Sequence, residues 1–125
     1  MSLIYVMVGG AVGSLLRYLL MSFVGRITLS EFPYSTLAVN IVGSFLMGVW
    51  IAAVAYWLPS KSKDLHLLFA VGLLGGFTTF STFSLDLFYL IEKGAYSSAV
   101  YYILSSIIAS VIALVCGMFV VRIIV

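Results

Sequence analysis

Residues 75–84 read Gly-Gly-Phe-Thr-Thr-Phe-Ser-Thr-Phe-Ser and lie in the middle of an apolar run at about 67–91. Two glycines followed by alternating hydroxyl and aromatic residues are unfavourable for an ordinary lipid-facing helix. Glycine lowers helix propensity, and hydroxyl groups offer the backbone competing hydrogen bonds. We therefore predict a helix that breaks within this stretch. In a membrane, a broken backbone is tolerated only where it is buried in protein or lines a wet cavity, because lipid cannot satisfy the freed carbonyls. The break is accordingly a candidate binding or conduction site.

The composition of the 125 residues is that of an integral membrane protein. Hydrophobic residues make up 64% of the chain, charged residues make up 8%, and the mean hydropathy is +1.27. The pattern predicts one all-α domain over residues 1–125 with four transmembrane helices, the third of them broken in its middle. The N-terminus supplies no basic region typical of a signal peptide, so we expect the first span to be retained. The apolar runs lie at about 3–24, 34–58, 67–91 and 95–121, each near the roughly 20 residues that a helix needs to cross the hydrocarbon.

The charged residues bear on orientation and assembly. Six basic and four acidic residues are scattered along the chain, which is not the basic patch of a protein that binds nucleic acid. The positive-inside rule gives little preference for one orientation, because one side of the membrane would carry three loop or tail cations and the other side two. Four helices also enclose little space of their own, so an aqueous pathway needs a second copy. We therefore predict an antiparallel homodimer. One side carries the N-terminus with Lys61, Lys63 and Arg122, and the other carries Arg26 and Lys93.

The first span contains small residues and one charge. Gly9 and Gly13 follow the small-xxx-small spacing, which lets another helix approach closely. Arg17 lies inside the span, where a charge is costly and faces the protein interior, a water-filled vestibule or the membrane interface. The sequence leaves two roles open for Arg17, a snorkelling anchor or an anion-attracting vestibule residue.

Polar residues also recur at helical spacing in the second and fourth spans. Asn40 shares a face with Ser44 and Gly48, and a buried asparagine must find partners, either in another helix or in a ligand. Small and hydroxyl residues of the fourth span form a stripe that either packs closely or offers hydrogen bonds across the membrane. With Asn40, Ser81 and Thr82, this stripe predicts a polar track. Its members are Tyr102, Ser106, Ser110, Ala113 and Gly117.

Two phenylalanines follow the predicted break. Phe80 and Phe83 are three residues apart and fall on one helix face. An aromatic ring has a positive edge, so a ring turned edge-on can stabilise a small anion without the full charge that would trap it. Conduction requires binding that is good enough for entry and weak enough for exit. Asp86, one turn beyond Thr82, is a candidate partner for Arg17 or a helix-end residue, and the sequence does not choose between them.

Three motifs resemble the CrcB/Fluc family of fluoride channels. The first is the glycine-rich stretch 9–14 with Arg17 and Tyr18, the second is Asn-Ile-Val-Gly-Ser-Phe at 40–45, and the third is the stretch 75–84. With the four-span layout, the resemblance covers essentially the whole chain. It implies an antiparallel, dual-topology dimer with two fluoride pores in the inner (plasma) membrane, which exports toxic cytoplasmic fluoride by passive, selective conduction.

The resemblance also implies roles for individual residues. A structural sodium ion is expected at the dimer centre, held by main-chain carbonyls that correspond by motif position to Gly75 and Thr78. The pore phenylalanines correspond to Phe80 and Phe83, and the pore asparagine corresponds to Asn40. Arg17 matches the family's basic residue in the first span. The polar track corresponds to Thr82, Tyr102, Ser106 and Ser110.

Other functional classes explain the sequence less well. A small four-helix drug/proton antiporter needs a titratable carboxylate deep in the membrane, whereas the first span offers only Arg17. A non-transporting assembly subunit would explain the glycines and serines but not a hydroxyl-rich break at the centre of a span. An enzyme is not expected, because no nucleophile, base and orienting group recur together and no metal-ligand set exists in the sequence.

Overall fold

The fold is described here from a computed structural model, which covers residues 1–58 and 62–125. These residues form helices joined by short turns, with no strand in either range. The helices in chain order are α1 (Ser2–Ile27), α2 (Tyr34–Trp57), α3 (Ser62–His66), a π-helical segment (Leu67–Leu74), α4 (Gly75–Phe77), α5 (Phe80–Glu92) and α6 (Tyr96–Ile124).

Within the described ranges, four helical stretches are long and apolar enough to cross a membrane. Those of α1, α2 and α6 contain 26, 24 and 29 residues, and the third runs for 30 residues over Lys63–Glu92. α2 begins directly after Pro33, as expected, because proline lacks the N–H that a first helical turn leaves unpaired. The sequence also predicts that Pro59 closes the second span, and this residue lies outside the described residues. The all-α fold with four spans is confirmed.

The third span is interrupted at Thr78 and Thr79. Both residues are extended, with φ/ψ of −80°/159° and −152°/119°. α5 restarts at Phe80, where the Thr79 hydroxyl accepts a hydrogen bond from the Thr82 N–H at 3.2 Å, as an N-cap does. The predicted break is confirmed, but it lies after the glycines, since Gly75 is helical at φ −64° and ψ −39°. The helix is interrupted by two threonines rather than by glycine.

Glycines bring α1 and the third span into close contact. Gly9 and Gly13 are buried, and a Cβ added at either one would collide with the backbone of Leu68 or Leu73. This confirms the close approach that their spacing predicts. The second glycine of the central stretch, Gly76, is needed for the same close approach, because a Cβ there would come within 2.7 Å of the Gly10 carbonyl oxygen.

A second glycine crossing joins α2 and α6. A Cβ on Gly48 would collide with the Leu114 carbonyl, and a Cβ on Gly117 would collide with the Phe45 carbonyl. Each glycine therefore lies against the backbone of the other helix. This contact holds α6 beside α2 along the side of the break.

We expect Gly117→Ala to destabilise the folded protein by about 1–3 kcal/mol, because overpacking forces neighbouring backbone to shift. Gly25→Ala is the matched control, since an added Cβ there has only the Ser35 hydroxyl at 3.6 Å as its nearest contact. Both changes add one methyl group to a helical glycine, so the helix propensity gained is similar. Thermal unfolding in detergent measures the difference. Equal melting temperatures for the two variants would show that the α2–α6 crossing is not tightly packed.

The loops at one end of the molecule also meet. The Lys93 ammonium lies 3.8 Å from the Glu31 carboxylate, which links the turn after α5 to the turn after α1. Phe32 of the same turn contacts Tyr101 and Tyr102 near the start of α6, at centroid distances of 5.5 and 5.6 Å. Successive helices therefore alternate in direction across the bundle, as the sequence predicts.

Candidate functional site

A cavity of about 330 Å³ opens beside the break in the third span. It lies between α2, the extended threonines, the first turn of α5 and the middle of α6. The fold thus brings residues from three spans to one place. Those that the sequence assigned to the pore are Asn40, Phe80, Phe83, Ser106 and Ser110.

Asn40 holds the break with both ends of its amide group. Its Nδ2 donates to the Thr79 carbonyl at 3.1 Å, and its Oδ1 accepts from the Thr79 N–H at 2.9 Å. These bonds replace the helical hydrogen bonds that the extended backbone of Thr79 cannot form and that lipid cannot provide. The sequence left open an interhelical bond or a donor to a ligand, and the structure shows the first. The amide nitrogen carries a second N–H, and Asn40 lines the cavity.

Phe80 and Phe83 form one wall of the cavity. Their ring centroids lie 5.4 Å apart with an interplanar angle of 42°, as expected for neighbours on one helix face. Phe83 is buried, whereas Phe80 is 79% exposed in the single chain. The two rings therefore differ in their need for a further covering surface.

The hydroxyl stripe of α6 reaches the cavity at Ser106 and Ser110. The Ser106 hydroxyl is buried and has no hydrogen-bond partner within residues 1–58 and 62–125. Buried polar groups are nearly always paired, so this hydroxyl is available to bind a ligand in the cavity.

Tyr102, one turn before Ser106, does not line this cavity. It is fully buried, and its hydroxyl donates to the Asp86 carboxylate at 3.1 Å. Its ring packs on Phe83, with centroids 4.9 Å apart. The assignment of Tyr102 to the polar track stays a prediction, and the structure places it behind the cavity wall.

Ser81 and Thr82 are arranged around the N-cap of α5. The Thr79 hydroxyl donates to the Thr82 hydroxyl at 3.1 Å and lies 3.3 Å from that of Ser81. Together with the Thr82 N–H bond, these contacts close the first turn of the helix. The pore role of both residues stays a prediction, while the capping contacts are a structural role that the sequence did not identify.

The carbonyl oxygens of Gly75 and Thr78 both lose their α-helical donors. The donor for Gly75 would be the Thr79 N–H, which bonds to Asn40 instead. The donor for Thr78 would be the Thr82 N–H, which bonds to the Thr79 hydroxyl. The break thus frees the carbonyls that motif position assigned to the sodium ion.

Arg17 lies at the level of the break. Its Nη1 donates to the Thr78 carbonyl at 3.5 Å, and the side chain is partly buried. A carbonyl oxygen has two lone pairs, so Thr78 can accept this long hydrogen bond and still face a cation. The geometry brings the guanidinium of α1 to the centre of the third span, and its role as vestibule residue or anchor stays a prediction.

Asp86 binds hydroxyl groups rather than Arg17. Its Oδ2 accepts from the Thr36 hydroxyl at 2.6 Å and from the Tyr102 hydroxyl at 3.1 Å. The cluster joins α2, α5 and α6 directly behind Phe83. The sequence left the partner of Asp86 open, and no local pattern identifies Thr36, which lies 50 residues away.

Comparison with known proteins agrees with this architecture. A family model described as "CrcB-like protein, Camphor Resistance (CrcB)" matches residues 4–118. A relative from Chelativorans sp. (strain BNC1), named Fluoride-specific ion channel FluC, is 47% identical over 120 residues, covering 96% of this chain and 95% of the relative. A relative of the same name from Agrobacterium fabrum is 47% identical over 110 residues, covering 88% and 87%. One from Nitrobacter winogradskyi is 45% identical over 118 residues, covering 93% and 91%. Matches of this extent, on a four-span fold with a broken third helix, show that the chain belongs to the CrcB/Fluc family.

Proposed function

We propose that this chain is the subunit of a fluoride-selective channel that exports cytoplasmic fluoride by passive conduction. In this proposal two copies insert antiparallel in the cell inner (plasma) membrane, form two pores and share a structural sodium ion at their centre. The relatives are named as fluoride-specific ion channels, which are not enzymes. Their names support neither a drug/proton antiporter nor a non-transporting assembly subunit.

The observation that carries the proposal is the cavity at the break. It combines an orphaned buried hydroxyl on Ser106 with two phenylalanine rings and the amide of Asn40. A small, tightly hydrated anion needs donors that replace its water. Hydroxyl, amide N–H and positive ring edges are all neutral donors, so they can bind fluoride without holding it as tightly as a cationic side chain would.

A second copy would complete the site. Phe80 lines the cavity but keeps 79% of its surface exposed, so half of the predicted aromatic pair has no cover within one chain. The cavity is also open at its side. A partner placed against α5 would enclose the ring and close the pathway. The balanced loop charges support an antiparallel arrangement for that partner.

We expect a charge-biased variant to test the antiparallel dimer. Two lysines inserted after Lys93 should force one orientation by the positive-inside rule, and a matched variant with two lysines inserted after Arg122 should force the other. Each variant alone should conduct at a small fraction of the unaltered rate, and their coexpression should restore conduction. Full fluoride efflux from liposomes containing either variant alone, with its single orientation shown by protease accessibility, would contradict the antiparallel dimer.

The freed carbonyls fit a hard monovalent cation. Main-chain oxygens at unwound helix segments are typical sodium ligands in membrane proteins. Gly75 and Thr78 would hold the ion with their carbonyls, and bound sodium would supply positive charge at the dimer centre. Arg17 lies at the same carbonyl, and its positive charge would disfavour a divalent ion at this site more strongly than a monovalent one.

Removal of sodium is expected to lower fluoride efflux about tenfold, because carbonyl oxygens of two chains that converge on the site without a cation between them would repel one another. Potassium replaces sodium on both sides of the liposomes, and returning sodium should restore the rate without any uptake of radioactive sodium. Unchanged efflux in sodium-free solution would count against the cation.

Substitutions at the two ligand positions provide a matched pair. Thr78→Ser should conduct normally, because it keeps the main-chain oxygen. Gly75→Leu should lose conduction even though the first added atom has only the Ala70 carbonyl at 3.7 Å as its nearest contact within one chain. Because Gly75 is exposed in the single chain, we expect the obstruction to a leucine to come from the partner or its ion. Normal efflux through Gly75→Leu would place this position outside the dimer centre.

Growth in fluoride tests the export function in cells. A bacterial host that lacks its own fluoride exporter should grow at higher fluoride concentrations when it expresses this chain, while Asn40→Leu should not protect it. Chloride tolerance should be unaffected. Failure of the unaltered chain to protect the cells, with the protein detected in the membrane, would refute fluoride export.

A further inference from the structure

An aromatic cluster continues from the cavity to the loop between α1 and α2. Phe80 contacts Phe83, Phe83 lies 4.9 Å from Tyr102, and Tyr102 lies 5.6 Å from Phe32, measured between ring centroids. Phe32 is thus connected to Phe83 on the cavity wall through one ring, that of Tyr102, although Phe32 does not line the cavity itself. No sequence motif used above includes Phe32.

Phe32 meets Tyr102 in a favourable geometry. The planes of the two rings cross at 84°, the edge-to-face arrangement that aromatic pairs prefer. Tyr102 therefore has Phe83 and Phe32 as ring neighbours, and its hydroxyl donates to Asp86. Because a tyrosine ring and its hydroxyl move together about the χ1 and χ2 bonds, the neighbours of the ring decide where the hydroxyl lies.

Polar contacts of the loop are weak by comparison. The ion pair between Glu31 and Lys93 is exposed on both sides, at 85% and 57%, and such pairs contribute little in water. The Phe32 N–H donates to the Ser30 hydroxyl at 3.2 Å, also at the surface. The ring of Phe32, by contrast, packs against the buried cluster of α5 and α6 that contains Phe83 and Tyr102.

We propose that Phe32 is a positioning residue of the conduction pathway, which holds the Tyr102 ring so that its hydroxyl stays on the Asp86 carboxylate behind Phe83. This inference rests on the proposed fluoride conduction. Asp86 is a negative charge within the third span, and the hydroxyls of Thr36 and Tyr102 are directed to it. A carboxylate that loses one of two donors repels a passing anion more strongly. Loss of the Phe32 ring would therefore slow fluoride without removing any residue that lines the cavity.

A double-mutant cycle tests this inference in liposomes. Phe32→Leu and Tyr102→Phe are each expected to lower fluoride efflux about fivefold, the effect of one hydrogen bond. The double variant should be no slower than the slower single variant, because both changes act through the same bond. Unchanged efflux in Phe32→Leu, or fully multiplicative losses in the double variant, would overturn the positioning role.

Control variants separate positioning from folding. Phe32→Tyr keeps the ring and should conduct normally, and Phe88→Leu removes an exposed ring of α5 and should also conduct normally. If Phe32→Leu fails to assemble as a dimer in detergent, Phe32→Met, whose unbranched and flexible side chain adapts better to the space left by the ring, takes its place in the cycle. Slow efflux in Phe32→Tyr would contradict the proposal.

A spectroscopic readout is independent of conduction. In protein labelled with 3-fluorotyrosine, the ¹⁹F signal absent from Tyr102→Phe identifies Tyr102. We expect this signal to shift in Phe32→Leu and to stay in place in Phe88→Leu, and an unmoved signal in both would overturn the inference. Absence of fluoride efflux in the unaltered protein would instead refute the proposed function, while the shift would still show that Phe32 positions the ring.

Discussion

Isoleucine in place of Phe80 or Phe83 is expected to lower fluoride efflux about tenfold while the dimer stays assembled, because an aliphatic side chain fills similar space but lacks a positive edge. The rings contact each other on the cavity wall, so an anion that passes through the cavity would meet both. The loss at Phe83 should be accompanied by some loss of stability, since this ring is buried and packs on Tyr102. The loss at Phe80 should not, because that ring is mostly exposed in one chain.

Phe88→Ile is the matched control for both variants. It removes a ring from the same helix, and this ring is half-exposed and contacts Tyr89 at 6.0 Å rather than the cavity. Its efflux should equal that of the unaltered protein. Full efflux through Phe80→Ile and Phe83→Ile would assign both rings to packing and remove the aromatic donors from the mechanism.

Replacing Asn40 with leucine should have a larger effect than either phenylalanine substitution. The change leaves both the N–H and the carbonyl of Thr79 unpaired at the break, and each buried unpaired group costs about 1–3 kcal/mol. We therefore expect efflux to fall by a hundredfold or more, about the factor that 3 kcal/mol gives, together with a lower melting temperature. Loss of the neutral donor beside the cavity adds to the effect.

A leucine substitution elsewhere on α2 is the matched control for Asn40→Leu. Val42 is exposed on the same helix, so Val42→Leu should leave both efflux and melting unchanged. Normal efflux through Asn40→Leu would show that the break at the threonines forms without the Asn40 amide. A low melting temperature with normal efflux would restrict Asn40 to a structural role.

Local composition was sufficient to predict the spans and the existence of the break. Bilayer thickness fixes the length of an apolar run, so the four spans follow from the sequence directly. The position of the break does not follow from the sequence, because glycine permits unusual backbone conformations without requiring them. Gly75 is helical and Gly76 serves a close contact with α1. The interruption depends on a partner, Asn40, that lies 39 residues before Thr79.

Long-range contacts account for what the sequence left open at the site. The spacing of Phe80 and Phe83 is local, and their shared face is seen in the structure. The partners of Asp86 and the contact of Arg17 with the Thr78 carbonyl span 16 to 61 residues, so no periodicity could identify them. The same holds for Phe32, which is placed by a loop closing on α6 rather than by any repeating pattern.

Efflux from liposomes tests the central claim most directly. Purified protein is reconstituted in vesicles loaded with potassium fluoride or potassium chloride, and valinomycin is added to carry the compensating charge. Fluoride should leave rapidly and chloride should stay, because the cavity at the break offers neutral donors that can replace the water of a small, tightly hydrated anion. Equal release of both ions, or release of neither, would contradict the account.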